Sequence, residues 1–468
     1  MIHPPAEPEL ATDAPDAGEP RTGGRAARIR RIGLGTLAAA ALVLSAAAVA
    51  LDWSPAARAA IIGGVCIALW LSEWVPVWVP TLVLWSATPL LLGAFGADYH
   101  PLRVLAWSAD PVLVLFFGGF ALAAAASRQG ADRSVAALAL RLSHGHAMRT
   151  IALAAVATAA LSMWMSNIAA AALMLAAFGP VLDEEPPGGS LRRGLLLAIA
   201  LAADVGGIAT PIGSGPNGIA IAAAERYRPI TFVHWMAFGV PLTLGLVAGV
   251  VVLVAVWIRP TGRVRLPAGS LQGAPGRIRA LGAVFGATVA LWLTEPLHGV
   301  RAWVIALAAA GALLVVRLLR PRDLLRIDWA TLVLIAGGIA LGALMDRSGL
   351  MRLLADALPF AAAPPTLRIL ALCLLSASLS ALMSNTGAAT LLVPLAMTVN
   401  ATPSAAVLVA VAASLGVPFV ISTPPNAMAF GAGLRARDLL VPGLIVMLAG
   451  CAVVALTGPW VLRALGVP

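Results

Sequence analysis

Two stretches of the chain place hydroxyl and amide side chains, without charge, inside otherwise apolar sequence. They are Ser162-Met163-Trp164-Met165-Ser166-Asn167-Ile168 and Ser380-Ala381-Leu382-Met383-Ser384-Asn385-Thr386. Each is followed by a Gly/Pro interruption that ends in Asn: Gly213-Ser214-Gly215-Pro216-Asn217 after the first, Ser422-Thr423-Pro424-Pro425-Asn426 after the second. At a hairpin tip, Ser166-Asn167 and Ser384-Asn385-Thr386 can cap the helix that follows, leaving backbone N–H donors and a positive dipole end aimed at an anion. Ser and Asn oxygens, with carbonyls freed at Gly213 and Ser422, are hard neutral donors suited to Na⁺. Pro216 and Pro424-Pro425 keep the helix from re-forming across each gap, while Gly213 and Gly215 permit close backbone approach. Neither Arg nor Asp lies in any of the four interruptions, so an anion there would depend on dipoles, hydroxyls and bound cations. A single Ser-Asn pair would be read as a small-residue helix contact. Two copies, each followed at matching distance by such a break, read instead as one composite site.

The elements that must position these residues are membrane helices. The chain is 60% hydrophobic and 11% charged, against about 45–50% and about 25% in soluble domains. Apolar stretches of about 20 residues, each enough to cross a hydrocarbon core of roughly 30 Å, recur from Ile32 to Leu465. The expected fold class is therefore an all-α polytopic membrane protein with about 11 transmembrane helices, two re-entrant hairpins and two broken helices. The net charge of +10 comes entirely from arginine against the acidic residues. These arginines flank hydrophobic runs as topology determinants do, rather than forming a nucleic-acid-binding stripe. Cys66, Cys373 and Cys451 lie in apolar segments without metal or disulfide spacing, and read as small core residues. His144 and His146 read as a solvated pair. No acid, base, nucleophile and metal set converges as an enzyme would require, and no organic cofactor is indicated.

In chain order, residues 1–31 are expected to be a disordered cytoplasmic tail and 32–55 an extra N-terminal transmembrane helix. Residues 56–258 form a first repeat, 259–276 a cytoplasmic linker and 277–468 a second repeat. The full crossings run at about 57–72, 75–95, 109–127, 194–224, 231–258, 277–294, 300–319, 328–346, 404–433 and 439–465; the hairpins occupy about 151–182 and 366–400. With the N-terminus in the cytoplasm, the segments holding Arg128 to Arg149, Arg192-Arg193, Arg259 to Arg279, Arg317 to Arg326 and Arg435 to Arg437 all face inward, as the positive-inside rule asks.

Landmarks recur in the same order. Trp70-Leu71-Ser72-Glu73 matches Trp292-Leu293-Thr294-Glu295 at an offset of 222, and Gly118-Gly119 matches Gly337-Gly338 at 219. Ser162, Ser166 and Asn167 match Ser380, Ser384 and Asn385 at 218, and Pro216-Asn217 matches Pro425-Asn426 at 209. Each repeat holds five full crossings and one returning hairpin, so the second must be inverted relative to the first, an arrangement known in secondary transporters. Glu73 and Glu295 could carry protons, although interfacial caps are the simpler reading. The paired glycines read as close packing or bends.

At these residues the sequence resembles the divalent anion sodium symporter family, carriers of di- and tricarboxylates or sulfate. The resemblance covers about residues 57–465 and is most specific at Ser384-Asn385-Thr386 with Pro394, and at Pro418-x-x-x-Ser422-Thr423-Pro424-Pro425-Asn426-Ala427-Met428-Ala429-Phe430-Gly431. It implies one Na⁺ site at Ser162, Ser166, Asn167 and the Gly213 carbonyl, and another at Ser380, Ser384, Asn385 and the Ser422 carbonyl. It implies substrate contacts from Ser166, Asn167, Ser214, Ser384, Asn385, Thr386 and Thr423. It further implies a homodimer, an elevator-type mechanism and a bacterial-type cytoplasmic membrane. Ile168 replaces the Thr usual in the first motif, and Gly215 stands where many bacterial members have Pro. The expected activity is Na⁺-coupled import of a small dianion such as succinate. The alternatives are transport of sulfate or another oxyanion, of citrate–metal or arsenite in a related fold, or Na⁺-independent dicarboxylate exchange.

Overall fold

A computed structural model describes residues 23–72, 74–225, 227–264, 275–359, 363–400 and 402–467. The tail up to residue 22, Glu73, and most of the 259–276 linker lie outside the described residues.

The described residues are helical throughout, apart from short turns and one isolated bridge between His146 and Arg263. The first half runs α1 (Gly23–Ala50), α2 (Pro55–Ser72), α3 (Val79–Leu92), α4 (Pro101–Ala106), α5 (Pro111–Arg128), α6 (Ala131–Ser143), α7 (Ala147–Ser162), α8 (Asn167–Ala177), α9 (Gly179–Glu184), α10 (Ser190–Gly206), α11 (Gly215–Glu225) and α12 (Phe232–Trp257). The second runs α13 (Pro275–Leu293), α14 (Glu295–His298), α15 (Ala302–Val315), α16 (Pro321–Leu324), α17 (Trp329–Arg347), α18 (Leu350–Asp356), α19 (Pro365–Ser380), α20 (Asn385–Asn400), α21 (Pro403–Ala413), α22 (Pro424–Gly431) and α23 (Ala436–Ala464). The helix expected over 32–55 begins nine residues earlier, at Gly23, so the final residues of the expected tail extend α1. That helix is almost uncovered by the rest of the chain, as a lipid-facing span would be.

Length separates crossings from other helices. Among the described residues six spans are long and apolar enough to cross a membrane: Arg28–Ala50, Pro55–Ser72, Pro111–Arg128, Phe232–Trp257, Trp329–Arg347 and Ala436–Ala464. By contrast α8 has 11 residues, about 16 Å at 1.5 Å per residue, roughly half a hydrocarbon core. It must turn back with α7. The second hairpin pairs α19 with α20 through a turn of the same length, residues 381–384 against 163–166.

The packing of the two halves corresponds element by element. Helix α7 lies on α10 as α19 lies on α21, and α5 lies on α15 as α17 lies on α3. The Trp70 indole donates to the Val77 carbonyl at 3.0 Å, and Trp292 donates to Ala302 at 2.9 Å. Across the halves α8 packs on α22, and α20 on α11. The paired glycines make close contacts of this kind: a Cβ on Gly118 would strike Ala306, and one on Gly337 would strike Thr81. Cys66, Cys373 and Cys451 are buried and unpaired by disulfides. Glu295 is buried in the first turn of α14. With Asp110, Glu225, Arg301 and Pro211 it lines a cavity of about 60 Å³ beside the first break.

Candidate functional site

Each hairpin tip is built by one serine holding one asparagine. Ser162 at the end of α7 bonds both Asn167 Oδ1, at 2.9 Å, and the Ala203 carbonyl on α10, at 2.6 Å. Ser380 does the same with Asn385 Oδ1, at 2.7 Å, and the Ala413 carbonyl on α21, at 2.6 Å. Ser166 and Ser384 cap the helices that follow, accepting from Ala169 N at 3.3 Å and Gly387 N at 3.1 Å. Each asparagine oxygen is engaged by serine, which leaves its amide nitrogen as the group that can donate.

Beyond each tip a long helix is interrupted. Helix α10 stops at Gly206, passes through a 3₁₀ turn at Gly207–Ala209 and an extended Thr210, and the chain resumes helix as α11 at Gly215. Helix α21 stops at Ala413 and resumes as α22 at Pro424, capped by the Thr423 hydroxyl accepting from Asn426 N. One asparagine stitches each gap. Asn217 Nδ2 donates to the Gly207 and Thr210 carbonyls, both at 2.8 Å, and Asn426 Nδ2 donates to Val417 and Phe419, both at 3.1 Å. These bonds satisfy carbonyls that would otherwise be costly to leave bare in a bilayer. The hydroxyls of Thr210 and Ser422 tie the gaps back to the hairpins through the carbonyls of Met163 and Ala381.

The two gaps meet. Ser214 Oγ lies 3.4 Å from Ser414 Oγ, and Thr423 Oγ1 donates to Asp204 Oδ2 at 2.9 Å. Gly215 lies directly against Thr386. One cluster thus gathers Ser162, Asn167, Asp204, Gly213 and Thr423, and the other Ser380, Asn385, Ser414, Ser214 and Thr386. Thr386 is buried, whereas Ile168, its counterpart, is 47% exposed. The missing hydroxyl therefore leaves an apolar side chain on an open face.

Reading the interruptions alone missed two residues. Asp204 and Ser414 lie on the helices leading into the gaps, inside runs that look like ordinary apolar span. The available signal was the repeat register: Ala203-Asp204-Val205-Gly206 aligns with Ala413-Ser414-Leu415-Gly416 at an offset of 210. Both are fully buried. Although no Asp lies within a gap, α10 delivers one to its edge. Among the described residues no group of three or more His, Cys, Asp or Glu is placed to hold a metal ion, so any cation here meets mostly neutral oxygens.

Comparison with known proteins agrees with this architecture. A transporter of Staphylococcus saprophyticus named sodium-dependent dicarboxylate transporter SdcS is 26% identical over 445 residues, covering 83% of this chain and 84% of that protein. An uncharacterized transporter of Haemophilus influenzae is 28% identical over 418 residues, covering 83% and 88%. The crystal structure of the Alcanivorax borkumensis YdaH transporter, described as having an unusual topology, superposes with a TM-score of 0.56 at 16% identity, over 84% of this chain and 98% of that one, and so shares the fold. The citrate transporter family matches residues 67–407 and 289–466, most of the chain. With a multi-pass helical fold, two mirrored polar gaps and this match, the chain belongs to the citrate transporter family of membrane transporters.

Proposed function

We propose that the protein is a Na⁺-coupled importer of a small dianion, a C4-dicarboxylate such as succinate. The observation that carries this reading is the duplicated Ser–Asn–carbonyl constellation, Ser162–Asn167–Ala203 and Ser380–Asn385–Ala413, beside two gaps that touch. The relatives named sodium-dependent dicarboxylate transporters support both the ion and the substrate class.

In this reading Ser162, Ser166, Asn167 and the Gly213 carbonyl hold one Na⁺; Ser380, Ser384, Asn385 and the Ser422 carbonyl hold the other. A cradle supports the first assignment: a Cβ on Gly207 would sit 2.6 Å from Asn167 Oδ1 and 2.7 Å from the Gly213 carbonyl oxygen. Two oxygens thus converge on a point left open by glycine. The dianion lies between the tips, against Ser166, Asn167, Ser214, Ser384, Asn385, Thr386 and Thr423. Bound Na⁺ supplies the positive charge that the side chains lack, so anion affinity depends on the cation. The halves are inverted repeats in a bacterial-type cytoplasmic membrane, with the N-terminus cytoplasmic. The hairpins and broken helices travel as a unit against the remaining helices in a homodimer.

Uptake of labelled succinate and labelled sulfate into proteoliposomes, with and without an inward Na⁺ gradient, tests the reading. Succinate uptake that requires Na⁺ is expected, and Ser384→Ala or Asn385→Ala should abolish it in folded protein. Na⁺-independent uptake overturns the coupling, and sulfate in place of succinate overturns the substrate. Normal transport by both variants removes the site assignment.

A further inference from the structure

The two cross-gap contacts are the same contact made twice. Ser214 and Thr423 occupy matching positions at an offset of 209, and Asp204 and Ser414 match at 210. On one side the pair is Ser214 with Ser414, two neutral hydroxyls; on the other it is Thr423 with Asp204, a hydroxyl and a carboxylate. The pseudo-symmetry asks for serine at 204, and the chain supplies a carboxyl group.

We propose that Asp204 is a ligand of the cation in the first half and makes that site the tighter of the two, an inference that rests on the Na⁺-coupled reading. The carboxyl is fully buried, with Oδ2 taken by Thr423 and Oδ1 without a hydrogen-bond partner. Among the described residues no basic side chain forms an ion pair with it. Buried charge in a membrane protein is costly unless it is paired or coordinates a metal. The Asn167 side chain faces the same carboxyl, and Asn167 Oδ1 is one of the two oxygens converging beside Gly207. Asn167 thus links the buried carboxyl on one side to the Gly213 carbonyl and the glycine-made space on the other. The position matching Gly207 in the second half is Val417, fully buried. The second half accordingly lacks both the carboxyl and the glycine.

Thermal unfolding of the purified full-length protein against NaCl, with choline chloride holding ionic strength, reads cation affinity without substrate or transport. Wild type is expected to gain stability with Na⁺. Asp204→Ser, which installs the residue of the mirror position, and Asp204→Asn, which keeps the shape, should each raise the Na⁺ midpoint about tenfold or more. Thr423→Val removes the hydrogen bond and keeps the carboxylate, so its midpoint should stay near that of wild type. An unchanged midpoint in Asp204→Asn overturns the proposal, as does a Thr423→Val shift equal to that of Asp204→Ser, because the role is then the hydrogen bond alone. If wild type neither binds Na⁺ nor needs it for succinate uptake, the Na⁺-coupled reading falls and the assignment of Asp204 falls with it. Na⁺-dependent wild type with an indifferent Asp204→Asn removes only the latter.

Discussion

A Cβ placed on Gly215 would lie 2.2 Å from Thr386 Oγ1 and 2.8 Å from its Cγ2, so the first gap and the second hairpin touch where only a hydrogen atom fits. Helix α11 begins at this glycine and α20 carries Thr386 in its first turn. The contact thus locks the start of one half's broken helix to the tip of the other half's hairpin. Gly215→Ala should destabilise the protein by about 1–3 kcal/mol through overpacking. Adding Thr386→Ala removes both clashing atoms, leaving Thr386 Cβ at 3.1 Å. Melting temperature is therefore expected to fall in the single Gly215 variant and recover in the double variant. Equal melting temperatures for the two would show that the gap yields freely at this point.

Ser162→Ala and Ser380→Ala test whether the two tips are equivalent. Each substitution removes the one donor shared between an asparagine oxygen and a buried helix carbonyl. Leaving such acceptors unmatched costs about 1–3 kcal/mol. Because the two serines make the same pair of bonds, the two variants should lose similar melting temperature without added Na⁺, and each should impair succinate uptake. A loss confined to one variant would show that the tips differ in kind.

How much of this arrangement sequence could give is visible at single residues. The Ser-Asn tips and their capping were readable because polar side chains in an apolar run have few other uses, and Ser166 and Ser384 do cap α8 and α20. The helix breaks were readable because Gly or Pro clusters there with hydroxyl residues and Asn, whereas single prolines such as Pro241 and Pro442 lie inside the continuous helices α12 and α23. Asp204 was not found, because one acidic residue in a span such as Leu195 to Val205 stands out only when the repeat register is carried past the gaps to Ser414, and its partner Thr423 is set by what α22 brings against it. Contacts between halves are set by packing, not by local propensity. For the same reason Asn217 and Asn426 were seen to end the gaps, but their bonds to four carbonyls were not foreseen. The start of α1 at Gly23 was missed because Arg25, Arg28, Arg30 and Arg31 mask helix-compatible sequence when only apolarity is followed.

The outer ends of the gap helices are held by a different kind of contact. Arg193, at the start of α10, forms a two-point ion pair with Asp438 at the start of α23, and the neighbouring Arg192 donates to the carbonyls of Leu182 and Ala432. The Asp438 side chain is only 3% exposed, so removing its partner leaves a buried charge uncompensated. Arg193→Met should therefore cost about 3–5 kcal/mol. Arg193→Met combined with Asp438→Asn removes the stranded charge and should recover part of that loss, measured by thermal unfolding in detergent. A single variant as stable as wild type would show that Asp438 finds another donor or is reached by water.

Arg128, closing α5, pairs with Asp323 in the short helix before α17, and Asp323 also accepts from the Arg320 backbone N–H at 2.7 Å. Burial of the Asp323 carboxyl pushes its pKa upward, but the Arg320 N–H and the Arg128 guanidinium outweigh it and hold the group below the ordinary carboxylate value of 3.8. A carboxylate whose folded pKa is depressed contributes stability that is fully present above its unfolded pKa and is lost as pH falls through the folded one. Asp323→Asn is uncharged at every pH and supplies the reference. The melting temperature of wild type minus that of Asp323→Asn should stay constant from pH 7 to about pH 5, then shrink as the pH drops below about 4. Both side chains keep some contact with solvent, at 18% and 21% exposure, so salt should reduce the difference at neutral pH. A difference that persists unchanged to pH 3 would mean that the contact between α5 and the α15–α17 connection does not depend on the charge of Asp323.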